Sequence, residues 1–468
     1  MAAMRLAALW LILFAAYAAT LGVPARAGVD YGGSEAHHLL AAESLVADGD
    51  VDLANQYRDR DYAHWYPGTL RTDGTVVQGR LVEPHGIGYA LLIAPAYDVG
   101  GPKAVQIEMA ALLALALVLG AALARRIVPE PWAGLGALLA GLSPPALAAG
   151  TTVTPSVPAA VALTGAALCA LKLDERARRR HIFGGALLLA TLPWLGWTFI
   201  VPGVAVAFML VRRALRERRR MAALFAGEAL AASLVFYATL NDRFYGGWTP
   251  RAAGAAAVPD FPLGYVERLP RLASLWLDRD YGLIRWVPVI ALAFVGCWQL
   301  YRSRRDQLAR VAPARRAAEA AARLALAIVL GQLLVTALAA ADPRSPGLFP
   351  GVDMIAALPA AAALTAWGLR HVPRPVAALL GLLTLGASAW VGIDLLTGHA
   401  SGWLAVSTSA PWGPLVNVFP SFAGAPAWPI AACALIALGV VALALHERRE
   451  LGEWRRSVAA ARTSRAMH

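Results

Sequence analysis

Leu6 to Val23 reads LAALWLILFAAYAATLGV, and shortly after it Val29 to Asp61 reads VDYGGSEAHHLLAAESLVADGDVDLANQYRDRD. The first stretch has the length and composition of a membrane-spanning helix, which needs about 17–25 mostly apolar residues. The second is a polar, acidic island bearing His37 and His38. An apolar chain must keep such an island in water or pack it on itself, so the island marks where chemistry can be done.

The same contrast recurs along the chain. Of its 468 residues 58% are hydrophobic and 15% charged, and apolar runs long enough to span return to the end. This predicts an all-α polytopic membrane protein with about twelve transmembrane helices. No polar block is long enough for an ordinary soluble domain, so residues 1–468 read as one membrane domain with elaborated loops.

The net charge of +12 is not a nucleic-acid signature. Its arginines and lysines sit in short clusters between apolar segments: Arg125-Arg126, Lys172 to Arg180, Arg212 to Arg220, Arg302 to Arg316, Arg370 to Arg374 and Arg448 to Arg456. Such clusters mark cytoplasmic loops. They predict both termini inside, with residues 447–468 as a cytoplasmic tail, and the loops at 24–103 and 241–280 outside. Cys169, Cys297 and Cys433 lie far apart within apolar segments and read as small core residues. No GxxxxGK[ST] phosphate loop is present, which argues against an ATP-driven pump.

Pro24 and Ala25-Arg26-Ala27 after the first segment have the look of a signal-peptidase site, but the apolar run is long enough to stay as a span. Within the first loop, Ser34 is placed to cap a helix running to about Ala47, with Gly49 to end it. Leu39, Ala42, Leu45 and Val46 fall near one face of that helix, which predicts that it lies at the membrane surface. Gly86 to Val99 is a second apolar piece too short to span, and Ala104 to Ala124 is the next full segment. Segments near Trp132 to Ala149 and Val153 to Leu173 read as a hairpin turning through SPPALAAGTTVTP. PWLGW and Pro202 break His181 to Val211 into a kinked hairpin. Further segments follow near 221–240, 283–301, 317–341, 354–369, 376–396 and 428–445.

Glu35 is the leading catalytic candidate, since a carboxylate at a helix start outside the first span can take a proton from an acceptor hydroxyl. The plainer role is to complement the helix N-terminus. Asp30 is the reserve base. His37 and His38 can contact a phosphate or hydroxyl or simply face solvent, and His64 and His85 are too distant in sequence to complete a metal motif, so no metal site is assigned. Asp48, Asp50 and Asp52 alternate like a calcium loop, but Leu53 stands where the turn needs glycine, so a capped turn is the better reading. Arg80, Glu83 and His85 precede the second short helix, and Arg243, Arg251, Arg279 and Arg285 line the second loop; arginine's planar fork suits a phosphate. Each of these can equally snorkel or pair with loop acids.

Gly33 to Tyr62, followed by EPHGIGYALLIAPAY at Glu83 to Tyr97, resembles the first outer loop of the GT-C superfamily of membrane glycosyltransferases, particularly actinobacterial members. Further matches are LPWLGWTFIVPG at Leu192 to Gly203, NDRFYGGWTP at Asn241 to Pro250, WLDRDYGLIRWVPV at Trp276 to Val289, and APWGPLVNVFPSF at Ala410 to Phe422. The resemblance implies an inverting transferase in a bacterial plasma membrane. It would move a sugar from a polyprenyl-phosphate carrier to a glycan, lipid or protein acceptor on the outer face, without a resident cofactor and with a divalent cation as an open question. The first-loop carboxylate would be the general base, and a phosphate-holding arginine would come from later loops. Ser34 stands where relatives keep the first acid of a pair, so the base role passes to Glu35 or Asp30. Val352-Asp353 also stands where relatives often carry an arginine. The competing readings are a flippase or transporter and an inactive accessory relative. The near absence of charge within the segments, apart from Glu108 and Glu228, argues against a carrier.

Overall fold

The computed structural model describes residues 2–173, 178–254, 263–303, 313–339, 347–406, 410–423 and parts of 427–449. The expected tail and most of the basic run at 302–316 lie outside them. The described chain is helical almost throughout, and its strands are the short hairpin β1 (Thr75–Val77) and β2 (Arg80–Val82). It is a polytopic membrane protein, and among the described residues six helices are each long and apolar enough to cross a membrane. A bent helix pair can act as a seventh, and four shorter apolar helices accompany them.

Helix α1 (Ala2–Ala18) buries Leu9, Leu13 and Tyr17, four residues apart and therefore on one face. The Tyr17 hydroxyl donates to the Gly141 carbonyl at 3.0 Å, and a side chain on Gly150 would strike the Tyr17 ring at 2.6 Å. The small residues thus let an aromatic anchor dock against backbone. After α1 come α2 (Gly33–Ala47), the short α3 (Ala54–Asp59), the hairpin, and α4 (Ile87–Ala124). Helix α4 joins the two pieces expected at 86–99 and 104–124. They meet at Gly100 and Gly101, where a φ of +62° at Gly101 needs glycine, and Pro102 restarts the helix.

The expected hairpin at 132–173 is not a simple turn. SPPALAAGT forms its own helix, α6 (Pro144–Thr151), bent 66° from α5 (Trp132–Gly141). Pro144 and Pro145 suit the first turn of a helix, where no N–H is needed, so proline here starts a helix instead of making a loop. An extended break at Thr152 separates α6 from α7 (Ser156–Lys172). Helices α8 (Arg179–Leu195) and α9 (Ile200–Arg216) are parted at Gly196, in line with the kinked hairpin expected there.

Helix α10 (Arg220–Tyr245) leads into the second loop, which contains α11 (Leu263–Val266) and α12 (Arg271–Leu277). The segment expected at 283–301 is broken at Val287-Pro288 into α13 (Leu283–Trp286) and α14 (Ala291–Ser303). Then follow α15 (Pro313–Leu338), α16 (Leu358–His371) and α17 (Arg374–Leu396). Helix α16 is buried on nearly every side, packed by α4, α5 and α14. One continuous apolar core runs from α1 to α17.

Candidate functional site

Helix α2 does not keep the exposed polar face that its apolar stripe suggested. Glu35, Ala36, His37, His38, Leu39, Leu40, Ala42 and Ser44 are all buried, so both faces are covered. Helix α4 packs against it, and Glu35, His37 and Ser44 find protein partners, while His38 Nδ1 is buried without a hydrogen-bond partner. Ser34 is not the cap either. Gly32 is the N-cap, and the Glu35 carboxylate reaches back three residues to accept the Gly32 N–H at 2.7 Å.

The second Glu35 oxygen accepts the Val153 N–H at 2.8 Å. That N–H lies at the break between α6 and α7, where a buried backbone donor has no intrahelical partner and must find one elsewhere. Glu35 therefore joins the first loop to a helix break far along the chain. Burial pushes its carboxyl up to about 7, against the two N–H bonds, which pull it down. Each oxygen keeps further acceptor capacity. The group lines a narrow cleft with Asp30, Gln106, Thr151, Thr152, Phe349 and Trp403. Asp30 is exposed at this cleft.

His37 and His38 do not face solvent. His37 Nδ1 lies 3.0 Å from Glu83 Oε1 and 3.0 Å from the Tyr57 hydroxyl, and its Nε2 lies 3.3 Å from Asp73 Oδ2. Glu83 Oε1 also accepts the Tyr57 hydroxyl and the Thr72 hydroxyl, the latter at 3.3 Å. Burial would raise the Glu83 carboxyl, but His37, by hydrogen bond and charge, and then the Tyr57 hydroxyl outweigh it and hold the group below its ordinary value. His85 stacks on His37 with ring centres 5.4 Å apart and meets His38 edge-on at 4.7 Å. Burial, then His37, lowers His38 to about 3, and burial with the neighbouring histidines lowers His85 well below its usual value.

The acids of the proposed capped turn behave as expected of one. Asp48 accepts Asn55 at 2.8 Å and also Gln56, Asp50 accepts the Asp52 N–H at 3.0 Å, and Asp52 accepts the Leu81 N–H at 2.9 Å. The turn thereby fastens α3 and the hairpin to the end of α2.

The arginines lie elsewhere. Arg80 and Arg243 are exposed, at the start of β2 and in the last turn of α10. Arg251 donates to the Ala339 carbonyl at 3.0 Å and covers the Trp197 ring. Arg285 is buried and donates to the carbonyls of Arg279 and Ala410, while its own carbonyl accepts Trp412 Nε1 at 3.1 Å. Asp278 Oδ2 accepts the Phe422 N–H at 2.8 Å. WLDRDYGLIRW and APWGPLVNVFPSF are thus clasped together. Arg243, Arg251 and Arg285 do not line the Glu35 cleft, whose remaining walls come from Gly347 to Phe349 and from Trp403-Leu404. The second loop instead meets the first beside His85, whose carbonyl accepts the Tyr245 hydroxyl at 3.1 Å.

The cleft's Gln106, Thr151 and Thr152, and Tyr57 and Asp73 beside His37, were not singled out from sequence, whereas Glu83 stood with Arg80 and His85 among the candidates. Only the placing of Glu83 beside His85 in EPHG gave a local signal. The Val153 N–H gave none, because a backbone donor has no sequence signature.

No protein-family model matches the chain, and no curated protein matches it. Among solved structures it is similar to ArnT from Cupriavidus metallidurans. The apo form is 14% identical with a TM-score of 0.49, and the likeness covers 83% of this chain and 70% of that one. The form bound to undecaprenyl phosphate is 13% identical with a TM-score of 0.47, over 85% of this chain and 64% of that one.

Proposed function

We propose that this chain is a membrane glycosyltransferase that moves a sugar from a polyprenyl-phosphate donor to a cell-envelope acceptor at the outer face, in a single membrane domain whose loops carry the site. The observation that carries the reading is Glu35: a buried carboxylate fixed by two N–H donors, opening on a cleft between the first loop and the helices. It is supported by the ordered resemblance of the sequence motifs to the GT-C superfamily. In the reaction, the acceptor hydroxyl loses its proton to Glu35 as its oxygen bonds to the anomeric carbon. The bond from that carbon to the phosphate oxygen breaks on the opposite side, the phosphate leaves with the electron pair, and the configuration inverts. A carboxyl raised towards neutrality suits a base working near neutral pH.

Asp30, exposed beside Glu35, is the reserve base. Arg80 and Arg243 are the phosphate candidates with exposed forks, whereas Arg251 and Arg285 act through the loops they brace. That commitment of Arg285 also favours a second reading, a relative that binds lipid-linked sugar without transferring it. One experiment separates the two. Purified protein is given labelled polyprenyl-phosphate sugars and membrane acceptors, with Glu35→Gln and Asp30→Asn alongside. Loss of transfer in Glu35→Gln at retained folding supports the transferase. Binding of donor without transfer by the wild type supports the second reading.

A further inference from the structure

The group around His37 has the donor set of a metal centre, although sequence spacing alone argued against one. His37, Asp73 and His85 each offer a ligand atom, and these atoms lie within 4.8 Å of one another. The first comes from α2, the second from the approach to β1, and the third from the segment between β2 and α4. The Glu83 carboxylate and the Tyr57 oxygen sit at His37 Nδ1, and since the Tyr57 hydroxyl proton goes to Glu83, both act there as acceptors. Nδ1 must therefore carry the imidazole proton, which leaves the Nε2 lone pair pointing at Asp73 Oδ2, itself an acceptor, at 3.3 Å. Two lone pairs so disposed need a cation between them, either a proton or a metal ion. Ligand atoms at about 2.0–2.1 Å on a tetrahedral ion stand about 3.3–3.4 Å apart. The observed separation is that value. His85 Nε2 is buried without a hydrogen-bond partner, so nothing in the protein holds a proton on it and it is free to present a lone pair.

We propose that His37, His85 and Asp73 bind a divalent transition metal of the zinc class, with Glu83 orienting His37 through Nδ1. A carboxylate behind a ligating histidine is the arrangement that fixes its tautomer and ring plane. Two imidazoles and one carboxylate suit zinc and its neighbours, and not calcium or magnesium, which take oxygen ligands. Asp73 is largely exposed, with 61% of its side chain accessible, so it provides the access route and leaves a fourth position towards solvent. The ion would tie the hairpin to α2, two residues beyond Glu35.

The test is metal binding, so it stands or falls separately from the transferase reading. Full-length protein, purified in detergent without a polyhistidine tag and stripped with chelator, is titrated with Zn²⁺ against a chromophoric competitor. One equivalent should bind, and Co²⁺ should give the visible absorption of a four-coordinate site. Removing a partner behind a ligand typically costs 10–100-fold in affinity, so loss of a ligand itself should cost more than about 100-fold. That loss is expected in Asp73→Asn, an exposed change that leaves the fold intact, and in His85→Phe, which keeps the ring stack. His64→Gln, at an exposed histidine bonded to its own Asp61 carbonyl, should bind as the wild type does. Absence of saturable binding, or equal affinity in the wild type, Asp73→Asn and His85→Phe, overturns the proposal.

Discussion

Glu35 and Glu83 are two glutamates of one loop, both buried, and their surroundings drive them in opposite directions. Glu35 is 6% exposed and Glu83 4%, so burial acts on both. Glu35 has two backbone N–H donors, which do not offset its desolvation, and its carboxyl rises to about 7. Glu83 has a histidine and a tyrosine hydroxyl, which do, and its carboxyl stays low. A neutral donor stabilises a carboxylate less than a neighbour able to carry positive charge. The first arrangement leaves a carboxylate able to exchange a proton with something in the cleft. The second fixes a charge permanently and uses it to orient a ring.

The comparison can be broken most directly at Glu35. Glu35→Gln should reduce sugar transfer by about 10²–10⁴-fold, the usual worth of a positioned base. It also leaves one buried N–H poorly matched, at about 1–3 kcal/mol, so thermal unfolding must show the variant folded before the rate is read. A rate equal to the wild type would mean that Glu35 only caps α2 and braces Val153.

A smaller effect is expected at the other glutamate. Glu83→Gln should weaken Zn²⁺ binding by about 10–100-fold while leaving transfer much closer to wild type than Glu35→Gln does. If the transfer rate instead collapses as far as in Glu35→Gln, the two carboxylates are not separate in role. Tyr57→Phe sharpens the contrast further, since it removes one donor to Glu83 and should lower stability by about 1 kcal/mol in chemical denaturation. The smallest change is expected from Asp30→Asn, because Asp30 is exposed at the cleft. Transfer should stay within about tenfold of wild type, well short of the 10²-fold that marks a lost base. A larger drop would move the base role from Glu35 to Asp30.

Much of the architecture was legible in local pattern. The break at Gly100-Gly101, the break at Gly196, the turn at Asp48 to Asp52 and the stop at Gly49 all follow from glycine, proline and short polar side chains acting on their immediate neighbours. Where local reading failed, a tertiary partner had intervened. Ser34 yielded the capping position to Gly32, whose N–H Glu35 reaches back to accept. Pro144-Pro145 opened a helix and not a loop because α6 is buried among α1, α5 and the turn before α16. Among the described residues several of the expected apolar segments are bent or short helices, because apolar composition does not fix helix length.

The sequence by itself determined that this is an apolar helical chain with a polar first loop, and it pointed to Glu35 within that loop. These are properties of composition and short-range periodicity, which each stretch carries on its own. Only the tertiary structure decided what Glu35 and His37 face. The Val153 N–H comes from 118 residues away, and His37 finds Asp73, Glu83 and His85 across a loop whose course no local pattern states. Such partners are chosen by which buried donors and acceptors are left over when the helices pack, because a buried polar group must be satisfied by whatever the fold brings near it.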